Sequence, residues 1–446
     1  MKSKIMLWAA GLALAAASVA GAARTEPRDV LCRIELDRGV LPADAPQRAV
    51  VKVTLDAPVL ERDGDRPPVN LAIVLDRSGS MSGEKIEKAK EAAIEALRRL
   101  GPRDVFSLVI YDDRVETVIP AQEARNAEWM ESRIRAIQPG GNTALFAGVS
   151  QGAAEVRRNL EGRYVHRIIL LSDGLANVGP SSPDDLGRLG ASLLKESISV
   201  TTVGVGTDYN EDLMTRLSQN SDGNTYFVEN SRDLPRIFAA ELGDVLSVVA
   251  RSVVLKIRCL NGVRPVRIIG RDGRVTRDGV EIQLNQLYGG QQKYALVEVE
   301  VPAGAEDQVL EIASADCRYR SALTDRDRTS SSRVEARFSR REDDVRRSAN
   351  IAVQEEYIRN EIAVAKDKAV EQWDAGERQQ AVEDLRKKSE ELKELGATYD
   401  VSVQVITEAE DLSGAASKLD AEGMSPSDRK EYRTDSYQTR NQQMSE

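Results

Sequence analysis

The rhythm of apolar and polar positions changes several times along the chain, and each change predicts a different kind of element. Between Asp29 and about Asp56, "DVLCRIEL" and "QRAVVKVTL" alternate by two, which predicts half-buried strands. Glu61 to Pro68, "ERDGDRPP", is rich in residues that break regular structure and reads as a linker. From Val69 the pattern becomes continuous apolar runs separated by helical ones. Val69–Asp76, Val105–Asp112, Arg167–Asp173, Ser199–Gly206 and Thr225–Glu229 predict strands, the most apolar of them covered on both faces. After Gly83, Ile86, Ala89, Ala93, Leu97 and Leu100 share one helical face, and Leu145–Leu160 and Leu186–Glu196 are also helical. Strand and helix in regular succession predict an α/β unit, an open parallel sheet with helices on both sides, ending near Val249.

Alternation by two then returns. "SVVLKIRCL", "RVTRDGVEIQL", "KYALVEVEVP" and "QVLEIASADCRYR" are separated by Gly, Asp and Pro turns, an all-β character that runs to about Arg340. It resumes the character of the first strands, so residues 24–66 and 251–341 are expected to build one β-sandwich, with the α/β domain, 67–250, inserted between them. Beyond Arg341 the period becomes helical. Ile351, Ile358, Ile362, Ala365, Ala369 and Trp373 form one stripe; Val382, Leu385, Leu392 and Leu395 form another that stops at Gly396. A turn at Asp374-Ala375-Gly376 makes 342–421 a helical hairpin in this reading. Residues 422–446 hold little to bury and are expected to be a disordered tail.

Residues 1–23 read as a signal peptide. Lys2 and Lys4 precede an apolar core, Ile5 to Val19, and Ala20-Gly21-Ala22 offers a small-residue cleavage site. The core is shorter than the ~20 apolar residues of a membrane span, and no later stretch reaches that length. The mature chain is therefore expected to be exported, periplasmic or extracellular, without a transmembrane segment. With 62 Lys+Arg against 72 Asp+Glu and aromatics at 4%, the composition argues against a nucleic-acid partner. Cys32, Cys259 and Cys317 fit no zinc spacing, and the sequence leaves their pairing open.

The chemistry gathers where strands end. The apolar run at Val69 leads directly into Asp76, Ser78 and Ser80, alternating with Arg77 and Gly79. "PGGNTALFAGV" sets Thr143 behind a Gly-Gly turn, and "RIILLSDGLANVG" ends a strand at Asp173. Ligands of such sheets collect outside the carboxyl ends of the strands, so two carboxylates and three hydroxyls meet on one edge. That donor set suits a hard divalent cation. It does not suit catalysis. His166 is the sole histidine and has no nucleophile near it in the pattern, and a metal hydrolase would use more carboxylate or imidazole ligands. "TTVGVGTD" lacks the lysine of a phosphate-binding loop. The chain is not expected to be an enzyme.

Asp76-x-Ser78-x-Ser80, followed by Thr143 and Asp173, resembles the metal-ion-dependent adhesion site (MIDAS) of von Willebrand factor type A domains, over about Val69 to Val249. The flanking β segments and "LSDGLANVG" resemble a bacterial group related to inter-alpha-trypsin inhibitor heavy chains. The resemblance implies a Rossmann-like domain that binds Mg²⁺ or Mn²⁺, with Ca²⁺ a poorer fit. It implies direct ligation by Ser78 and Ser80, ligation by Thr143 once a partner is bound, and action through water by Asp76 and Asp173. Neutral hydroxyls leave the ion electrophilic, so an Asp or Glu of a partner protein can fill the open position. The expected function is an exported, metal-dependent protein-binding module for adhesion or assembly. The alternative is a structural envelope protein whose metal site only stabilises the fold.

Overall fold

The computed structural model describes residues 29–59 and 66–443. The expected signal peptide, most of the linker and the last three residues lie outside that range. The first strands are β1 (Leu31–Leu36), β2 (Val40–Pro42) and β3 (Gln47–Asp56). The α/β unit follows as β4 (Val69–Asp76), α1 (Glu84–Arg99), β5 (Val105–Tyr111), β6 (Val115–Glu123), α2 (Ala127–Arg135), α3 (Leu145–Arg157) and β7 (Val165–Ser172). It continues through α4 (Pro183–Lys195), β8 (Ile198–Val205), α5 (Glu211–Ser221), β9 (Thr225–Val228) and α6 (Leu234–Leu246). Its sheet has the order β6-β5-β4-β7-β8-β9, parallel except for the antiparallel β5–β6 pair. β4, β7 and β8 are buried at every position, polar members such as Asn70, Arg167 and Thr201 included, which is why apolar residues dominate their sequences. Leu71, Ile73 and Leu75 of β4 pack with Ile86 and Leu97 of α1 and Phe238 of α6. Ala72 and Val74 face the other way, toward Val149 and Val156 of α3.

α6 runs almost directly into β10 (Val248–Cys259), followed by β11 (Arg264–Ile269), β12 (Arg274–Thr276), β13 (Gly279–Tyr288), β14 (Gln292–Val301), β15 (Val309–Ser321) and β16 (Asp327–Ser339). Two sheets result, β1-β3-β14-β11 and β12-β13-β10-β15-β16-β2. β3 pairs with β14 from Gln47↔Val301 to Asp56↔Gln292, so segments before and after the α/β unit share one sheet. Val51, Val53 and Leu55 meet Leu255, Ile257, Cys317 and Phe338 in a common core. A buried arginine, itself paired within the α/β unit, fastens that unit onto this sandwich. Arg167, on β7, donates to Gln286 Oε1 at 2.8 Å and Tyr288 OH at 2.6 Å, both on β13, and stands 3.4 Å from Glu241 of α6.

The helices are α7 (Glu342–Arg347), α8 (Ile351–Asp374), α9 (Arg378–Tyr399), α10 (Val403–Glu422) and α11 (Pro426–Asn441). α8 and α9 pack together across a short turn in which Gly376 has φ 82°. The reading that stops α9 at Gly396 is corrected: the helix continues to Tyr399, and Asp400 takes the left-handed conformation. Gly396 is a packing glycine instead, because a Cβ there would stand 3.1 Å from Val401 and 3.3 Å from Ile406.

The expected disordered tail, 422–446, is corrected for its described part, 422–443. α11 is a capped helix, with Ser425 and Asp428 exchanging hydrogen bonds across its first turn. Its anchors are polar, which is why counting apolar residues misses it. Lys430 donates to Glu211 at 2.7 Å, Arg429 to Asp212 at 2.5 Å and Tyr437 to the Gly223 carbonyl at 2.5 Å.

Candidate metal centre

β4 delivers Asp76 to the carboxyl edge of its sheet, and the chain leaves through a 3-10 turn at Gly79–Met81. Buried Met81 pins that turn into the core, and Gly83, at φ 83°, reverses the chain into α1. The Ser78 backbone N–H donates to Asp76 Oδ1 at 2.8 Å. This local bond is the Asx turn that Asp favours, and it fixes the loop carrying Ser78 and Ser80. The two hydroxyls stand 3.1 Å apart.

β7, alongside β4, carries the next residues. Ser172 donates its hydroxyl to Asp76 Oδ2 at 2.7 Å, and Asp173 Oδ1 accepts from Ser80 at 2.7 Å. Thr143 arrives on a loop tied down by the backbone: Gly79 N–H donates to Gly141 O at 3.0 Å, and Gly140 N–H to Arg77 O at 2.7 Å. Asn177 Oδ1 accepts the Thr143 N–H at 2.9 Å. Above Gly174 the loops meet, and a Cβ there would stand 3.3 Å from Thr143 Oγ1 and 3.4 Å from Ser80 Oγ. Asp76, Ser78, Ser80, Thr143 and Asp173 are thus gathered at one place, all but Ser80 buried.

Burial pushes the Asp76 carboxyl up to about 6, against the hydrogen bonds from Ser78 and Ser172, and the charge of Asp173 raises it further. Asp173 has a cation of its own, Lys85 of α1, whose ammonium lies 2.5 Å from Oδ2. Three partners were therefore not read from sequence: Lys85, Ser172 and Asn177. Each sits within a few residues of a motif member or inside "LANVG", but only the fold shows that they converge.

The donor set fits a hard cation. It is all oxygen, with three neutral hydroxyls and two carboxylates, and the lack of a Cβ at Gly174 lets the Thr143 and Ser80 hydroxyls approach each other there. Among the described residues no group of three His, Cys, Asp or Glu side chains could hold a metal, so such an ion depends here on the hydroxyls. His166 lies at the opposite end of β7, 3.3 Å from Asn70, and burial and Arg251 push it down to about 4. It is a neutral ring remote from the site.

The sequence model of the von Willebrand factor type A domain matches residues 70–240. A protein of Synechocystis sp. described as uncharacterized is 32% identical over 173 residues, which are 39% of this chain and 40% of that protein. Human inter-alpha-trypsin inhibitor heavy chain H4 is 30% identical over 165 residues, 35% of this chain and 18% of that one. The matched segment thus spans less than half the length of these curated relatives. The solved von Willebrand factor type A protein from Catenulispora acidiphila has a TM-score of 0.64 at 17% identity, covering 87% of this chain and 96% of its own. The ArnB paralog VWA2 from Sulfolobus acidocaldarius follows at 0.59 and 16%, covering 92% and 98%. At these identities the likeness is one of fold, and it reaches beyond the α/β unit. Motif, fold and family match agree that residues 70–240 are a von Willebrand factor type A domain.

Proposed function

We propose that the chain is an exported, metal-ion-dependent protein-binding module, serving adhesion or assembly, that engages an Asp or Glu of a partner through Asp76, Ser78, Ser80, Thr143 and Asp173. The observation that carries this reading is the meeting of three hydroxyls and two buried carboxylates at one sheet edge, where Thr143 and Ser80 close over Gly174. Type A domains commonly hold a divalent ion in this way and bind proteins with it, which supports the reading for this one. When bound, Mg²⁺ or Mn²⁺ supplies an electrophilic centre for the partner carboxylate. Ser78 and Ser80 offer their lone pairs, held by Asp76 and Asp173. Lys85 offsets part of the Asp173 charge, so the face keeps a positive bias toward an acid. Thr143, on a separate loop, joins when the partner does. Export rests on residues 1–23, and among the described residues no helix is long and apolar enough to cross a membrane.

The test has two arms. At a metal concentration of ~100 times the dissociation constant, binding stabilises the fold by about 2.7 kcal/mol, and Ser78→Ala with Ser80→Ala removes this. Affinity capture from an envelope extract with Mg²⁺, and again without it, yields the partner. Thr143→Ala is expected to lose capture while keeping metal-dependent melting. Capture that survives Thr143→Ala and metal removal would leave the site a role in stability only, as in a structural envelope protein. Melting indifferent to metal would end the metal reading altogether.

A further inference from the structure

Away from the metal centre, a cavity of about 430 Å³ opens where three parts of the chain meet. Its walls come from α4 and the end of α5, from the β11–β12 turn and β13, and from α11. That volume lies within the roughly 300–1,000 Å³ of small-molecule sites. Leu194 and Ala191 supply an apolar wall, and charged residues of both signs supply the rest.

The charges are unequally served. Asp222 accepts the Asn285 N–H and faces Lys293 at 3.8 Å. Asp272 accepts from Gln219 at 2.6 Å, and Glu281 is paired with Lys256 at 3.0 Å. Arg440 is held by Asp367. Two cations, and the Asp272 carboxylate between them, are left without an ion pair among the described residues. Arg271 reaches only neutral acceptors, Gln442 Oε1 at 2.8 Å and the Arg440 carbonyl at 3.4 Å, and its buried Nε has no hydrogen-bond partner. Burial lowers the Arg271 pKa, and the nearby charge of Asp222 offsets only part of that. Arg274, exposed at the mouth on β12, has no ion-pair partner among the described residues. Both arginines belong to one short turn, and guanidinium forks match carboxylate and phosphate oxygens in pairs.

We propose that this junction cavity binds a small organic oxyanion, a carboxylate or phosphate on a short, partly apolar body, with half-buried Arg271 as its counter-charge and Arg274 closing the mouth. The ligand would touch the α/β domain, the sandwich and α11 together, so its binding would tighten their docking. The site is separate from the metal centre and does not depend on it.

The experiment is calorimetric titration and thermal melting of the full mature chain in metal-free buffer at constant ionic strength. Inorganic phosphate, glycerol phosphate and succinate are the probes, with chloride as the control. Saturable binding and a rise in melting temperature are expected with at least one oxyanion; the phosphate and succinate arms tell which class fits. Arg274→Gln, at an exposed position, should weaken that binding by about tenfold, the equivalent of ~1.4 kcal/mol. Arg271→Gln should abolish it. If Arg271→Gln does not fold, Arg274→Gln decides alone. No saturable binding of any probe, or binding that Arg274→Gln leaves unchanged, overturns the proposal.

Discussion

Replacing Arg167 by leucine tests how the α/β domain is held on the sandwich. Arg167 and Glu241 are both fully buried. The guanidinium serves four acceptors: Gln286, Tyr288, Thr201 at 3.1 Å and Glu241. Removing one partner of a buried ion pair costs about 3–5 kcal/mol, because the other charge stays in the interior without its counter-ion. Here Glu241 would keep donors from Thr201 at 2.6 Å, Asn224 at 2.8 Å and Tyr226 at 3.2 Å. These soften the penalty toward the lower end, so Arg167→Leu is expected to lose about 3 kcal/mol. The assay is urea denaturation of the mature chain followed by far-ultraviolet circular dichroism, reading a shifted midpoint at unchanged slope. Adding Glu241→Leu should recover part of the loss, since the stranded carboxylate disappears with it. A loss under ~1 kcal/mol, or a double variant as unstable as the two single losses added together, would show that the pair is not coupled.

Other outcomes follow from the same physics. His166 titrates near 4 in the fold against an ordinary 6.5, so the folded chain binds fewer protons and loses stability as pH falls through that window. His166→Asn should therefore gain on the native chain by up to about 3 kcal/mol between the two pH limits; parallel urea midpoints at both would contradict this. Gly174→Ala places a methyl against Thr143 and Ser80 and should blunt the Mg²⁺-dependent rise in melting temperature while leaving metal-free melting nearly unchanged. An undiminished metal response would mean that the space above Gly174 is not used. Deleting residues 425–446 strips Glu211 of Lys430 and Arg429, and should cost on the order of 3 kcal/mol and speed amide exchange in α5. Exchange unaffected in α5 would count against α11 as an anchor.

Much of the α/β unit was legible because its strands are covered on both faces, so runs such as Val69–Leu75 leave little choice of element. The proximity of the five candidate residues was legible because each stands where a strand or loop must deliver it. β6 and α2 were not read. β6 is a half-exposed edge strand interrupted by Pro120, and α2 buries only Met130 and Ile134. α11 escaped because its ties are ionic, and α10 because its stripe of Val405, Ala409, Leu412, Ala416 and Leu419 is thin and alanine-rich. Lys85 is invisible to any pattern of periods. Its meaning comes from the one turn of α1 that carries it back over β7.

The candidate metal site occupies the carboxyl ends of β4 and β7, while Arg167 and the junctions to the sandwich lie at their amino ends. The eight residues of β4 put about 25 Å of strand between the two. Tension applied at Asp76 and Ser78 would therefore run along the strands and not across them. β4 is flanked on one side by β5, from Asn70↔Val105 to Asp76↔Tyr111, and on the other by β7, from Val69↔Val165 to Leu75↔Leu171. Pulled lengthwise, both ladders are loaded in shear, and their hydrogen bonds must yield together instead of opening one after another from an end. Were the proposed partner to grip at that pole, the domain would be mechanically strongest along the axis on which it pulls.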